Sequence, residues 1–121
     1  MSDDLPPELR LRLRLYLPGG LMLGPGKADL LEGIAETGSI AAAGRRMGMS
    51  YKRAWSLVEE MNAAFTAPLV ASARGGAGGG GAHLTAEGQS VLTRYRALIA
   101  ATLQAGADDI AAITALLRPK A

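Results

Sequence analysis

Apolar and polar residues alternate strictly along the first patterned stretch of the chain. From Leu9 to Leu17 every second residue is leucine, and Arg10, Arg12, Arg14 and Tyr16 occupy the positions between them. A period of two residues predicts a half-buried β-strand with the leucines turned inward. The three arginines could form a nucleic-acid patch. Because edge strands commonly carry charge, a solvated outer face is the preferred interpretation.

The pattern then changes from a period of two to a helical period. Pro18-Gly19-Gly20 predicts a turn, and residues 21–23 predict a short return strand. Pro25 suits the first turn of a helix, and a helical pattern runs from Lys27 to Thr37. The inward side of this helix comprises Leu30, Leu31, Ile34 and Ala35. We expect the following two helices to pack against it.

Two helices joined by a tight turn are predicted between Thr37 and Phe65. Ser39 is a natural N-cap for the first helix, and Gly48 can adopt the left-handed conformation that ends it. Ser50 can then cap a longer second helix. The apolar stripe of that helix comprises Ala54, Leu57, Val58, Met61 and Phe65. This is the helix-turn-helix plan, in which the first turn of the second helix enters the DNA major groove.

A wing is predicted directly after the second helix. Residues 69–74 have the pattern of a short strand, residues 75–81 are almost entirely glycine, and His83-Leu84-Thr85 can form the return strand. Glycine in such a loop lets backbone N–H groups approach phosphates closely. A flexible linker is the alternative interpretation. The strand patterns on both sides of the glycines favour the wing.

Two helical segments end the chain. Thr85 can cap a helix that extends to about Gln104, Gly106 interrupts the pattern, and a second segment continues to Arg118. An exposed apolar stripe on a helix usually marks a surface that a partner covers. We expect this partner to be a second copy of the chain. The residues expected at this dimer interface are Leu92, Tyr95, Ile99 and Leu103. The predicted organisation is thus a mobile arm (1–8), a winged helix-turn-helix domain (9–85) and dimerisation helices (86–118).

Composition and charge further limit the classes of function that the sequence is expected to have. Net charge is only +2 over 121 residues, but residues 41–96 carry seven basic and three acidic residues, a local excess of +4. There is no cysteine and only one histidine, so neither a disulfide scaffold nor a metal site is expected, and no cofactor is expected. The sequence lacks a signal peptide pattern and a membrane-spanning run, which favours a cytoplasmic location. No nucleophile adjoins the histidine, so an enzyme is not expected.

The residues expected at DNA belong to three places. Tyr51, Lys52 and Arg53 form the first turn of the second helix and lie off its buried stripe, so core packing does not explain them. Arg45 and Arg46 lie where the first helix would cross the backbone. The full expected set is Ser39, Arg45, Arg46, Ser50, Tyr51, Lys52, Arg53, Trp55, Arg74, Gly76, Gly78, Gly79 and His83. Capping alone explains Ser50, a structural role is favoured for Trp55, and His83 is interpreted mainly as a turn residue.

Several runs occur together in a familiar order. They are Gly38-Ser39-Ile40 with Ala42-Ala43, Met49 to Lys52 with Ala54-Trp55, Met61-Asn62, Pro68-Leu69-Val70, the glycines at 75–76 and 78–81, and Leu84-Thr85 with Gly88. This set resembles the N-terminal DNA-binding domain of ModE-type molybdate-responsive regulators, a winged helix-turn-helix related to the LysR type. The resemblance extends from about Leu13 to about Leu103.

The resemblance implies a homodimer that binds a palindromic operator on double-stranded DNA, with a link to molybdenum metabolism. Full-length members of that family carry C-terminal β-rich domains that bind molybdate or tungstate. Only helical patterns follow Leu84 here, so no molybdate site is expected in this chain. The expected fold is α/β, mainly α: a winged helix-turn-helix with a long C-terminal dimerisation helix. The alternative function is a winged-helix interaction module that does not read DNA.

Overall fold

The computed structural model describes residues 5–73 and 81–119. In these residues a short hairpin is followed by three helices, and a second hairpin is followed by two more. The elements in chain order are β1 (Leu15–Tyr16), β2 (Met22–Leu23), α1 (Pro25–Thr37), α2 (Ile40–Arg46), α3 (Tyr51–Ala64), β3 (Val70–Ala73), β4 (Gly81–Leu84), α4 (Ala86–Ala105) and α5 (Ala107–Ala115). β1 pairs with β2 and β3 pairs with β4, both antiparallel. This arrangement confirms the mainly helical winged helix-turn-helix with a long C-terminal helix.

The first strand is much shorter than the sequence pattern predicts. Only Leu15 and Tyr16 pair with β2, whereas residues 9–14 belong to no strand or helix. β2 cannot continue the ladder because Pro25, which has no N–H to donate, begins α1 two residues after its end. The predicted alternation is nevertheless present in the burial of the side chains: the leucines at 9–17 are half-buried and the residues between them are exposed.

The predicted caps of the helix-turn-helix pair are confirmed. The Ser39 hydroxyl accepts a hydrogen bond from the Ala42 N–H at 3.0 Å, which satisfies a free donor at the start of α2. At the start of α3, the Ser50 hydroxyl likewise accepts a hydrogen bond from the Arg53 N–H at 3.0 Å. Gly48 has a φ of +71°, the left-handed conformation that turns the chain from α2 into α3.

Small residues set the spacing of the first three helices. An added Cβ on Gly33 of α1 would lie 2.9 Å from the Cβ of Ala43 in α2. An added Cβ on Gly44 would lie 3.0 Å from the Cβ of Ala54 in α3. Both distances are too short for ordinary packing, so glycine at each crossing allows α1, α2 and α3 to approach closely. This approach fixes where α3 stands relative to the rest of the domain.

The core is aliphatic and lies between α1, α3 and the wing strands. Its largest fully buried side chains are Leu30, Leu31, Ile34, Val58, Met61 and Leu69. Phe65, which the sequence pattern places on the buried stripe of α3, instead caps the C-terminus of that helix and is half-buried. α4 contributes Leu92 and Tyr95 to the same core, so its first half completes the domain. Within the described ranges, no helix is long and apolar enough to cross a bilayer.

Candidate nucleic-acid interface

The first turn of α3 presents three polar side chains to solvent. Tyr51, Lys52 and Arg53 are all exposed, and Tyr51 keeps 57% of its surface accessible. The buried residues Ala54, Leu57, Val58 and Met61 fix the rotation of the helix. Because that stripe faces the core, the helix must turn its basic first turn outward. This is the placement that the helix-turn-helix pattern predicts.

A groove of about 410 Å³ lies beside this turn, between α3 and the wing. Its walls are Ser39, Ile40 and Ala41 at the start of α2, Tyr51 and Trp55 on α3, and Ser72, Gly81 and Ala82 on the wing strands. We call it the wing-side groove. Trp55 is 38% exposed here and is not part of the buried core. Aromatic faces beside hydroxyl and backbone groups suit contact with a sugar–phosphate backbone or a base edge.

Backbone hydrogen bonds tie the wing to the helix-turn-helix pair. The Ala82 N–H donates to the Gly38 carbonyl at 2.9 Å, which joins β4 to the turn between α1 and α2. An added Cβ on Gly81 would lie 2.8 Å from the same carbonyl oxygen, so β4 approaches this turn where only glycine fits. The root of the wing is therefore held at a defined distance from the N-terminus of α2.

Asn62 makes a second tie between α3 and the wing. Its side-chain oxygen accepts hydrogen bonds from the N–H groups of Leu69 and Val70 at 2.8 and 3.1 Å. Its side-chain nitrogen donates to the Val70 carbonyl at 3.0 Å. The sequence pattern assigns Asn62 no role, although a half-buried asparagine late in a helix and shortly before a strand is a usable sign of such a clamp.

Of the residues expected to contact DNA from the wing, His83 lies within the described part of the chain. His83 is exposed on β4 and pairs in register with Ala71 on β3. Thus it is a strand residue, whereas the sequence interpretation makes it mainly a turn residue. Arg74, Gly76, Gly78 and Gly79 lie outside the described residues.

The two arginines of α2 are in different situations. Both are exposed in the last turn of the helix. The Arg46 guanidinium donates to Glu36 of α1 at 2.7 Å, while the structure shows no such partner for Arg45 among the residues that it describes. An exposed ion pair contributes little stability, so Arg46 can exchange this carboxylate for a phosphate at small cost.

The residues expected at the dimer interface also separate into two groups. Leu92 and Tyr95 are 9% and 3% exposed within the single chain, because they pack in the domain core. They are therefore not available to a partner, which corrects the assignment of these two residues. Ile99 is half-buried against the core and Leu103 is half-buried. The apolar side chains that remain exposed at this end are Leu98, Ile113, Leu116 and Leu117.

One basic residue of the charge-rich region is neutralised locally. Arg96 on α4 donates to Asp29 and Glu32 of α1 at 2.9 and 3.0 Å. Burial acts to lower the pKa of this guanidinium, but the hydrogen bonds to the two carboxylates outweigh that effect and raise the pKa. Arg96 thus joins α4 to α1, and its positive charge is compensated by the two carboxylates.

A capped helix-turn-helix, an outward basic turn and an attached wing define a winged helix-turn-helix module, a fold that transcription regulators use to bind DNA. The model of the family described as "Bacterial regulatory helix-turn-helix protein, lysR family" matches residues 27–89, which is just over half of the chain. The chain belongs to this family.

Several curated relatives are similar over most of this chain. The molybdenum-pterin-binding protein MopB of Rhodobacter capsulatus is 46% identical over 79 residues, which cover 65% of this chain and 29% of that protein. The transcriptional regulator ModE of Yersinia pestis is 40% identical over 102 residues, 84% of this chain and 38% of that protein. The DNA-binding transcriptional dual regulator ModE of Escherichia coli K12 is 40% identical over 103 residues, with coverages of 85% and 38%. The chain spans about a third of the length of these relatives.

Proposed function

We propose that this chain binds double-stranded DNA in the cytoplasm as a homodimer, reads a palindromic operator and regulates transcription. The observation that carries the proposal is the first turn of α3, where Lys52 and Arg53 are exposed and Tyr51 lines the groove beside the wing. A basic, outward turn on a helix held by a buried stripe matches the requirements of major-groove reading. Core packing gives no reason for either side chain to be basic.

The roles follow from where each residue lies. Lys52 and Arg53 can each reach guanine O6 and N7 or a phosphate. Tyr51 and Trp55 line the wing-side groove, where we assign them contacts to the sugar–phosphate backbone. Arg45 is exposed at the end of α2 and is assigned a phosphate contact. The hydroxyls of Ser39 and Ser50 already accept capping hydrogen bonds, but each keeps a donor for a phosphate oxygen.

Dimerisation would be mediated by the C-terminal helices. Leu103 is half-buried, and Ile113 and Leu117 are 65% and 68% exposed. Apolar surface of this kind gains free energy when a partner covers it. Two copies joined in this way present two recognition helices, and a two-fold protein matches a palindromic site with half-sites about 34 Å apart.

The relatives suggest the biological setting. Their names include a molybdenum-pterin-binding protein and regulators called ModE, and "Molybdenum transport protein ModE" is the name of the relative from Azotobacter vinelandii. We propose that the genes controlled by this chain include ones concerned with molybdenum. A winged module that only joins proteins remains the alternative function, and the exposed basic turn of α3 argues against it.

Selection of bound sequences from random DNA, followed by affinity measurements on the selected duplex, tests the proposal. Lys52→Ala and Arg53→Ala should each weaken binding, and loss of a bidentate base contact should cost about 1–3 kcal/mol of discrimination between the selected and a scrambled duplex. Stability should stay within about 0.5 kcal/mol, because both residues are on the surface.

Arg118→Ala is the matched control, since it removes one exposed positive charge beyond the end of α5. If Lys52→Ala, Arg53→Ala and the double variant all bind as the wild type does, α3 is not the reading helix. If no duplex is enriched and the wild type binds no DNA at low salt, the protein-interaction alternative is favoured.

A further inference from the structure

A second groove lies on the side of α3 that faces away from the wing. It is lined by Arg12 and Arg14 of the N-terminal segment, Lys27 of α1 and Arg53 of α3. Tyr51 and Trp55 face the wing-side groove, and Arg53 and Leu57 face this one, because the two pairs differ by about half a helical turn. We call it the arginine groove. It has a volume of about 290 Å³.

The arginines of this groove are held in place by the fold. The Tyr95 hydroxyl of α4 donates to the Leu13 carbonyl at 2.6 Å, which fixes the backbone between Arg12 and Arg14. An added Cβ on Gly24 would lie 3.1 Å from the Cγ of Arg14, so the aliphatic part of Arg14 packs on the bare backbone of Gly24. A long side chain that is already positioned loses less entropy when it binds a ligand.

The positive charge of the groove is left largely uncompensated. Lys27 is 8% exposed and has Glu60 as a partner at 3.6 Å, so its charge is neutralised. Arg46 and Arg96 elsewhere on the surface are also paired with carboxylates. By contrast, among residues 5–73 and 81–119, Arg12, Arg14 and Arg53 make no ion pair and no carboxylate lines the groove. Three arginines that line one groove suit a phosphate.

We propose that the arginine groove binds a phosphate of the DNA backbone, on the side of α3 opposite to the wing. The proposal rests on DNA binding by α3 and extends the contact surface to the N-terminal segment. Continuity with the reading helix favours DNA over an acidic protein segment, because Arg53 and Met49 line the groove at the very start of α3. A duplex seated on the first turn of α3 therefore runs past Arg12 and Arg14.

Gly26 offers a sharp test of this proposal. It lies in the first turn of α1 at the groove, and an added Cβ would meet no atom within 4 Å. Gly26→Glu introduces a carboxylate into the groove, and Gly26→Gln introduces a neutral side chain of the same shape. An acidic side chain near a helix N-terminus is favourable, so melting temperature should not fall. Gly26→Glu should bind the selected duplex roughly fivefold more weakly than Gly26→Gln at low salt.

The arginines are tested one at a time in the same chain. Arg12→Gln and Arg14→Gln should each reduce the slope of log affinity against log salt, and the double variant should reduce it by about 0.9, the value expected for one lost phosphate contact. Arg10→Gln is the matched control, since Arg10 belongs to the same segment but donates to the carbonyls of Pro7 and Leu9 outside the groove. Its salt slope should equal that of the wild type.

The affected contact should carry no sequence information. Arg12→Gln and Arg14→Gln should therefore weaken the selected duplex and a scrambled duplex of equal length by the same factor. Unequal factors would indicate a base contact and overturn the phosphate assignment. If the wild type binds DNA but Gly26→Glu equals Gly26→Gln and the arginine variants keep the wild-type slope, the groove proposal fails while DNA binding stands. If the wild type binds no DNA, the proposed function itself fails.

Discussion

Helices α1 to α3 and helix α5 use their apolar side chains in opposite ways. In the first group, Leu30, Leu31 and Ile34 are completely inaccessible to solvent. In α5 and the turn that follows it, Ile113, Leu116 and Leu117 keep 65%, 86% and 68% of their surface exposed. The amino-acid types are the same in both regions. What differs is whether the chain itself supplies a surface to cover them.

The difference shows where the single chain completes its packing. α4 closes the domain with its first half, through Leu92 and Tyr95, and then extends past it. After Ile99, every residue that the structure describes is half-buried or exposed, except the small Ala107. α5 contacts chiefly α4. An apolar stripe therefore does not by itself identify an interface. Only the part of the stripe beyond the closed domain is available to a second copy.

The largest expected effect concerns the point where α4 is seated on the domain. An added Cβ on Gly88 would overlap the Leu69 carbonyl oxygen, and this oxygen also accepts the Thr85 N–H at 2.9 Å. The backbone there cannot yield without losing the cap of α4. Gly88→Ala should therefore lower the free energy of unfolding by about 3 kcal/mol or more. Thermal unfolding measures this loss of stability, because the melting temperature should fall by roughly 4–8 °C per kcal/mol for a domain of this size.

Gly26→Ala is the control for that substitution. Gly26 also lies in the first turn of a helix, but no atom lies within 4 Å of the added Cβ. This variant should be unchanged or more stable by up to about 1 kcal/mol, because alanine is the better helix former. Equal melting temperatures for Gly88→Ala and Gly26→Ala would show that α4 is not tightly seated at Leu69.

Local signals explain most of the fold that could be predicted. Ser39, Ser50 and Thr85 each accept a backbone hydrogen bond as N-caps, and Gly48 adopts its left-handed conformation. Each of these depends on residues within a few positions along the chain, so the sequence contains the necessary information. The apolar period of α3 is local in the same sense, and it correctly turns Lys52 outward.

Contacts between distant segments could not be predicted in this way. The strand at 9–17 shrinks to two residues because its partner β2 is interrupted by Pro25. The Tyr95 hydroxyl donates a hydrogen bond to the backbone carbonyl of Leu13, which lies 82 positions away in sequence. The arginine groove brings Arg12 and Arg53 together from separate elements. The apolar period of one segment does not show which other segment of the chain packs against it.

The next effect tests whether the exposed end of the chain is an interface. Ile113→Asp combined with Leu117→Asp places one charge on α5 and one in the turn that follows it, where the wild type has apolar surface. We expect the wild type to be a dimer at tens of micromolar and this variant to be a monomer. Monomers should lose at least about tenfold in affinity for the selected palindromic duplex, because each half-site then binds alone. Sedimentation and a binding titration measure the two quantities.

The opposite side of the same helix supplies the control. Ala111 and Ala115 are exposed and lie about half a turn away from Ile113. Ala111→Asp with Ala115→Asp adds the same charge and should remain dimeric. Melting of the domain should be similar in both double variants, since neither touches the core. A wild type that sediments as a monomer would show that the exposed stripe serves something other than self-association.

The smallest effect concerns the hydrogen bond by which the closed domain holds the N-terminal segment. Tyr95→Phe removes the hydroxyl that donates to the Leu13 carbonyl but keeps the ring in the core. Loss of this bond should cost about 1 kcal/mol at neutral pH. The variant should also bind DNA slightly more weakly if the segment carrying Arg12 and Arg14 becomes less well positioned.

The pH dependence separates the hydroxyl from the ring. Burial raises the pKa of Tyr95 above its ordinary value of 10.0, because the charged phenolate is poorly solvated in the core. A raised pKa in the folded state means that the stabilisation is fully present below pH 10 and is lost as the pH rises through the pKa of the folded protein. The difference in unfolding free energy between wild type and Tyr95→Phe should therefore be constant up to about pH 10 and shrink above it. Denaturant unfolding at pH 8, 10 and 11 measures this difference. A constant difference across that range would mean that the hydroxyl contributes nothing and that the variant acts only through packing of the ring.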